Sequence, residues 1–331
     1  MEEKEWKRIR SDRKSLIQAY RKAAFYVRNY IKYYMPDRIY APLFMRLSKV
    51  LTDDEQREVE TRAAYYLRLH DDAAIDKDRA LTVGTFKKPT GPKPHHSAYF
   101  FDLHDIVRLF PRDSRFHRIF GDINYESPLP AFVKSRPITD GQTNSVLLKL
   151  NKIRHFRSFN DSIPFREKKD MIVFRNIVSG QPHRELFVAL YHDNPMCDVG
   201  QSNVNKEHPE YMRPYMGIRD QLKYKFIACI EGYDVASNLK WVMSSRSLAV
   251  MPKPKIESWF MEGTLIGGYH YVEIKPDYSD LIDKMRYYIS HPDEAEAITR
   301  HANEYTARFR NTRLERHIQY VVADRYFKIL S

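Results

Sequence analysis

The chain has 331 residues, enough for two hydrophobic cores, and its 43% hydrophobic and 13% aromatic content marks it as globular rather than disordered. Its formal net charge of +12 points to an anionic partner or surface, but no zinc-finger spacing, RNA-binding aromatic signature or long basic tail indicates nucleic acid. No apolar run is long enough to span a bilayer, the N-terminus lacks a signal-peptide core, and Cys197 and Cys229 are the only cysteines, so a disulfide framework is excluded and a cytoplasmic location is expected.

Residues 5–34 read as one basic amphipathic helix, with Ile17, Tyr20, Ala24, Val27 and Ile31 at three- and four-residue steps and an end at Pro36. Such a helix suits an anionic membrane surface or simply packs on its own domain. Residues 53–79 read as a charged helical stretch. Its Asp76-Lys77-Asp78 resembles a metal motif only superficially, since that motif belongs at the end of a buried strand. A Pro/Lys-rich loop runs from Thr85 to His96, and His95-His96 has no partner at metal-ligand spacing. The apolar segment Phe116–Phe120 ends in Gly121-Asp122, which serves either as a site for an acid or base or as an ordinary turn. Glu126 lies nearby, whereas Asp102 and Asp105 fall in a helix-like stretch. A second apolar segment follows at Ala131–Val133, residues 144–150 read as helix, and a domain boundary is expected within residues 153–168.

The second half opens on a strand, Asp170–Arg175, and then a helix start at Pro182 with Arg184 in its first turn. Two guanidinium groups so placed can face one anion or be two surface arginines of a basic protein. Three more apolar runs follow: Phe226–Ile230, Leu248–Met251 and Tyr269–Ile274. A helix is expected from about Ser237, so the pattern is that of a parallel sheet with crossover helices. In such sheets anions bind where strand ends meet helix N-termini, which singles out the loop from Glu231 to Asn238. Two helices over residues 279–309, the second starting at Pro292, and a last one over residues 313–330 complete the chain.

Phe174-Arg175, Arg184, Leu222-Lys223-Tyr224-Lys225, Glu231 to Ser237 with Lys240, Ser247, Glu257-Ser258-Trp259-Phe260, His270-Tyr271-Val272 and Asp280-Leu281 together resemble glycosyltransferase family 90. The likeness is best from about Asp122 to Tyr305 and strongest to the bacterial, lipopolysaccharide-A-type branch. It implies an α/β, GT-B-like fold: two Rossmann-like domains facing a cleft, with extra helices at both ends. Residues 1–155 would form the acceptor-side domain, 156–311 the nucleotide-sugar domain, and 312–331 a helix packing back on the first. It further implies an inverting transfer from a UDP-sugar with no required metal or cofactor.

By the same resemblance Arg175, Arg184 and Lys240 lie near the diphosphate with Gly232, Val235, Ala236, Ser237 and Asn238 in the receiving loop. Glu257 would hold the ribose hydroxyls, and Asp122 would be the general base. Animal members carry Arg near the position of Asn238, so the phosphate grip is expected to differ here. The expected acceptor is a lipid-linked or core oligosaccharide of cell-surface polysaccharide assembly at the inner membrane face, and the expected sugar is glucose, galactose or xylose. A protein hydroxyl as acceptor, and a non-catalytic basic nucleic-acid-binding protein, are the alternatives.

Overall fold

The computed structural model describes residues 16–46, 51–89, 96–156, 159–178, 180–203 and 208–331. The start of the expected N-terminal helix and His95 lie outside them. The chain divides into two compact units. The first comprises Lys22–Arg154, Lys255–Gly263 and Phe309–Ser331; the second comprises His155–Pro254 and Thr264–Arg308 with the described residues up to Arg21.

The helix Leu16–Tyr34 stops ahead of Pro36 and is followed by a helix at Asp37–Arg46. Its inward face is not the stripe read from the sequence. Tyr26, Tyr30 and Tyr33 pack edge-on against Phe100 and Phe101, which leaves Tyr20, Val27 and Ile31 exposed. The tyrosines form a second stripe at helical spacing, and their larger rings bury more area than the aliphatic one. Thr52 and Glu55 close a capping box on the helix Asp53–Tyr66. Asp76 is in a turn rather than a helix, where its carboxylate accepts from the amides of Asp78 and Arg79.

A four-stranded sheet follows, built from β1 (Leu81–Thr82), β2 (Arg115–Arg118), β3 (Ala131–Val133) and, beyond β4 (Ser135–Pro137), β5 (Ser145–Leu147). Its order is β1-β2-β3-β5, antiparallel at the first pair and parallel at the other two. The stretch read as helix over residues 144–150 therefore holds the strand Ser145–Leu147 and no helix. Residues 145–150 are buried throughout, and a fully buried apolar run carries no periodicity to separate strand from helix.

The second unit holds one parallel sheet. Its strands are β6 (Lys169–Asn176), β7 (Cys197–Gln201), β8 (Tyr224–Ala228) and β9 (Leu248–Met251). The chain then contributes β10 (Ile256–Ser258) to the first unit, antiparallel to β4, before returning for β11 (Val272–Glu273). The sheet order β7-β6-β8-β9-β11 is that of a doubly wound α/β sheet whose strand order reverses between β6 and β8. On one face Ile172, Phe174, Phe226, Ala228, Leu248 and Val250 meet side chains of the helices Pro182–Tyr191 and Leu281–Ser290. Val173, Ile227 and Ala249, which point the other way, are equally buried, as both faces of a parallel sheet must be.

Polar groups join the three segments of the first unit. Glu257 of β10 stands opposite Arg136 of β4, and both side chains are 0% exposed. Arg136 Nε donates to Glu257 Oε1 at 2.8 Å, while its remaining nitrogens donate to the carbonyls of Tyr65, Tyr66 and Ser145. Tyr65 donates to the other carboxylate oxygen. A second node is Glu315, in the helix Thr312–Leu330, which pairs with Arg62 at 2.6 Å and with Lys149, and accepts from Trp259 Nε1 at 2.7 Å. Tyr66 stacks on Trp259 with ring centroids 3.8 Å apart.

Glu257→Gln leaves Arg136 charged and buried without its counter-ion, and should lower the unfolding free energy by about 3–5 kcal/mol. Urea denaturation reads this directly; an unmoved midpoint would mean that the pair does not hold β10 in place.

Candidate functional site

In a doubly wound sheet, ligands bind beyond the carboxyl ends of the two strands that flank the reversal of order. Here those are β6 and β8, and the segments after them are residues 177–181 and 229–238. Arg184, in the first turn of the helix that Pro182 opens, ties the two segments together. Its Nη1 donates to Ile177 O at 2.9 Å, its Nη2 to Ile230 O at 2.8 Å and its Nε to Glu231 O at 2.7 Å. His183 Nε2 lies 2.8 Å from the same Glu231 carbonyl.

Gly232 lies directly against this clamp. A Cβ there would come within 3.0 Å of Arg184 Nη2 and 3.2 Å of Gln181 Oε1, so a side chain would press on both. Gly180 adopts φ +74°, a backbone region that favours glycine, and faces the Tyr233 hydroxyl. Asn238 Nδ2 donates to Ala228 O at 2.9 Å, which fastens the far end of the loop to β8. Val235 and Ala236 are buried beneath the loop and Ser237 is half-buried. Lys240 is buried as well, its ammonium 6.0 Å from the Phe156 ring centroid.

Three expectations change here. The segment after the loop is a single helical turn, Leu239–Val242, because Ser244 and Ser245 fold their hydroxyls back onto the carbonyls of Trp241 and Val242. One turn supplies no helix of useful dipole, so an anion here must be met by side chains and loop amides. Arg175 and Arg184 also engage different partners. Arg175 pairs with Asp198 and donates to the carbonyls of Phe174, Asp198 and Pro214, while Tyr224 donates to the other Asp198 oxygen at 2.5 Å. Partial burial pushes the Asp198 carboxyl up, but Tyr224 and Arg175 outweigh it and hold it below its ordinary value. Glu257, expected in this unit, belongs to the first, where its carboxylate is enclosed by Arg136, Tyr65 and Arg68.

The first unit has a parallel carboxyl edge of its own, at the ends of β2, β3 and β5. Asp122 follows β2 across Gly121, whose φ of +122° few other residues tolerate. Lys134 follows β3 directly and bonds to Asp122 Oδ1; Tyr99 donates to the same oxygen at 3.3 Å, and Arg154 lies 3.9 Å from Oδ2. His96 (φ 62°) and Asn151 (φ 58°), both left-handed without being glycine, are held nearby: His96 packs on the Tyr99 ring, and Asn151 lies between β5 and Arg154.

Half-burial raises the Asp122 carboxyl, but the Lys134 ammonium, its hydrogen bond and Arg154 prevail and hold it below the usual carboxylate range. Asp122 is therefore ionised at neutral pH and fixed in orientation, with one side to solvent. The neighbouring carboxylates are committed elsewhere: Glu126 accepts from Asn144 N and His70, Asp102 from Lys152 N, and Asp105 pairs with Lys32. Tyr99, Lys134 and Arg154 were not singled out from the sequence. Lys134 was within reach of the reasoning that found Asp122, since it too is a charged residue immediately after an apolar strand.

Removing the ammonium by Lys134→Met should move the Asp122 carboxyl upward, since its chief stabilising charge is lost, and NMR titration reads the direction. The sign follows from linkage: a carboxyl depressed in the folded state stabilises it above the unfolded value of about 3.9 and loses that contribution as pH falls through the folded value, so Asp122→Asn should remove this part of the acid sensitivity.

The profile of Glycosyl transferase family 90 matches residues 147–330, more than half of the chain. The chain is also 39% identical over 277 residues, 84% of its own length and 87% of the relative's, to "O-glucosyltransferase LpsA" of Dichelobacter nodosus.

Proposed function

The chain belongs to glycosyltransferase family 90 and is a glycosyltransferase; from this premise we propose that it transfers a sugar from a UDP-sugar, with inversion, to a glycan acceptor of cell-envelope polysaccharide assembly. The observation that carries the reading is the clamped loop around Gly232 at the reversal point of the second unit's sheet, the place where such sheets receive nucleotides. A GT-B-like division of labour is part of the proposal, with donor held by the second unit and acceptor by the first. The relative's name favours glucose over galactose and xylose as the sugar, and the family resemblance favours protein cations and amides, rather than a metal, around the donor phosphates.

In the proposed step Asp122 takes the proton of the acceptor hydroxyl as that oxygen bonds the anomeric carbon from the side opposite UDP, and the bond to the diphosphate breaks. Lys134 keeps the carboxylate ionised and aimed. Arg184 acts on the donor by holding the loop in shape, with Gly232, Val235, Ala236, Ser237 and Asn238 forming its floor. Arg175 acts further back, bracing β6 against β7 and the Pro214 segment. Glu257 secures the fold of the first unit, so the ribose hydroxyls need a partner in the second.

UDP binds only the folded chain on this reading and must raise its melting temperature. Asp122→Asn should lower turnover with UDP-glucose by about a hundredfold or more while UDP affinity stays near wild type. Normal turnover in that variant would remove Asp122 from the reaction, and no thermal shift with millimolar UDP would remove the donor assignment. An acceptor screen with oligosaccharides and peptides distinguishes a glycan from a protein hydroxyl.

No helix among the described residues is long and apolar enough to cross a membrane. The solvent-facing Tyr20, Val27 and Ile31, interspersed with Arg21, Lys22 and Arg28, suit attachment to an anionic lipid surface instead. Flotation with anionic vesicles should recover the protein at low salt and release it as salt rises; no association at low salt would leave the stripe without this role.

A further inference from the structure

Asp122 sits in an excess of positive charge. Lys134 is taken up by it and Arg154 reaches it at 3.9 Å with a side chain 58% exposed; a further cation, Arg118, closes β2 four residues earlier and is joined to Asp122 only through the rings of Phe120 and Tyr99. Arg118 differs from most arginines of this chain. Its guanidinium carbon lies 4.0 Å from the Phe120 ring centroid and 5.7 Å from that of Phe86, and its Nε is buried with no hydrogen-bond partner. Among the described residues no carboxylate pairs with it. Burial alone acts on the group and lowers its pKa, with no neighbouring acid to offset the loss of water.

The aromatic face that carries Arg118 leads straight to the candidate base. Phe120 packs against Tyr99 at 5.4 Å and His96 at 6.3 Å between centroids, and the Tyr99 hydroxyl donates to Asp122. A guanidinium stacked by its face keeps its N–H edges for a planar or tetrahedral anion, which it grips with two parallel hydrogen bonds. Holding it partly out of water with no counter-ion is unfavourable until such an anion arrives.

We propose that Arg118 is an anion-recognition residue of the acceptor site, so that the sugar acceptor carries a phosphate or carboxylate group close to the hydroxyl that is glycosylated. The proposal rests on reading Asp122 as the acceptor-side base and adds the chemical class of acceptor. A neutral acceptor would leave Arg118 unsatisfied and lose the contact.

The test uses the whole chain saturated with UDP, so that the donor loop does not compete for the probes. Glucose 6-phosphate, glucuronate and methyl glucoside are titrated and followed through the side-chain N–H resonances of isotope-labelled arginine. The wild type should bind one or both anionic sugars about tenfold or more tightly than methyl glucoside, as one charged hydrogen-bonding contact provides. Arg118→Met keeps the packing on Phe120, should retain its melting temperature, and should erase that preference; Arg118→Lys should restore part of it. The anion bound better tells phosphate from carboxylate. Equal binding of all three probes by the wild type, or an undiminished preference in Arg118→Met, overturns the proposal. Failure of UDP itself to bind strikes the donor assignment and leaves the Arg118 comparison readable without it.

Discussion

A charge pair with no access to water sets the architecture of the first unit. Arg136 and Glu257 belong to strands 121 residues apart in the chain, and their bond fixes which residue of β10 faces which residue of β4. An apolar ribbon of three residues has several nearly equivalent registers, whereas a buried carboxylate has one that leaves no charge unpaired. The Glu315 node repeats this logic for the C-terminal helix, gathering Arg62, Lys149 and Trp259 around one carboxylate. Burial of so many ionised groups contributes little net stability compared with apolar packing. What it supplies is an unambiguous assembly of segments from distant parts of the chain.

Both candidate sites then follow from one property of parallel strands: their carboxyl ends all lie on the same edge, so the residues just after them converge. In the second unit the converging segments are knitted by Arg184 and Asn238 onto backbone carbonyls, which produces a rigid, glycine-lined loop. In the first unit they bring a carboxylate, an ammonium and a guanidinium group together at the ends of β2, β3 and β5. The loop of the second unit is suited to shape recognition and the edge of the first to proton transfer and charge recognition.

The parts of this arrangement legible in the sequence were those marked by local chemistry. Pro182 and Pro292 stand at the first positions of their helices, the apolar runs of β6, β8 and β9 are bounded by polar residues, and Gly121-Asp122 follows its strand as expected. What failed depended on distant partners. β5 looks helical until β3 is placed beside it, and Glu257 looks like a ligand-binding acid until Arg136 is found opposite. The turn at Leu239–Val242 has the spacing of a longer helix but is cut short by two serines whose hydroxyls compete for its carbonyls. Arg175, an arginine at a strand end, has the right address for an anion but a neighbouring strand supplies Asp198 first.

The threading of the chain through its two units bears on how it is made. The chain passes from one to the other after Arg21, Arg154, Pro254, Gly263 and Arg308, and the carboxylate that gathers Arg62 and Lys149 is Glu315, beyond the last of these passages. A nascent chain emerging from the ribosome therefore has every strand of the second unit's sheet available before the first unit has its final helix. Until Glu315 arrives, the carboxylate that gathers Arg62, Lys149 and Trp259 is missing, so the first unit is the one that waits.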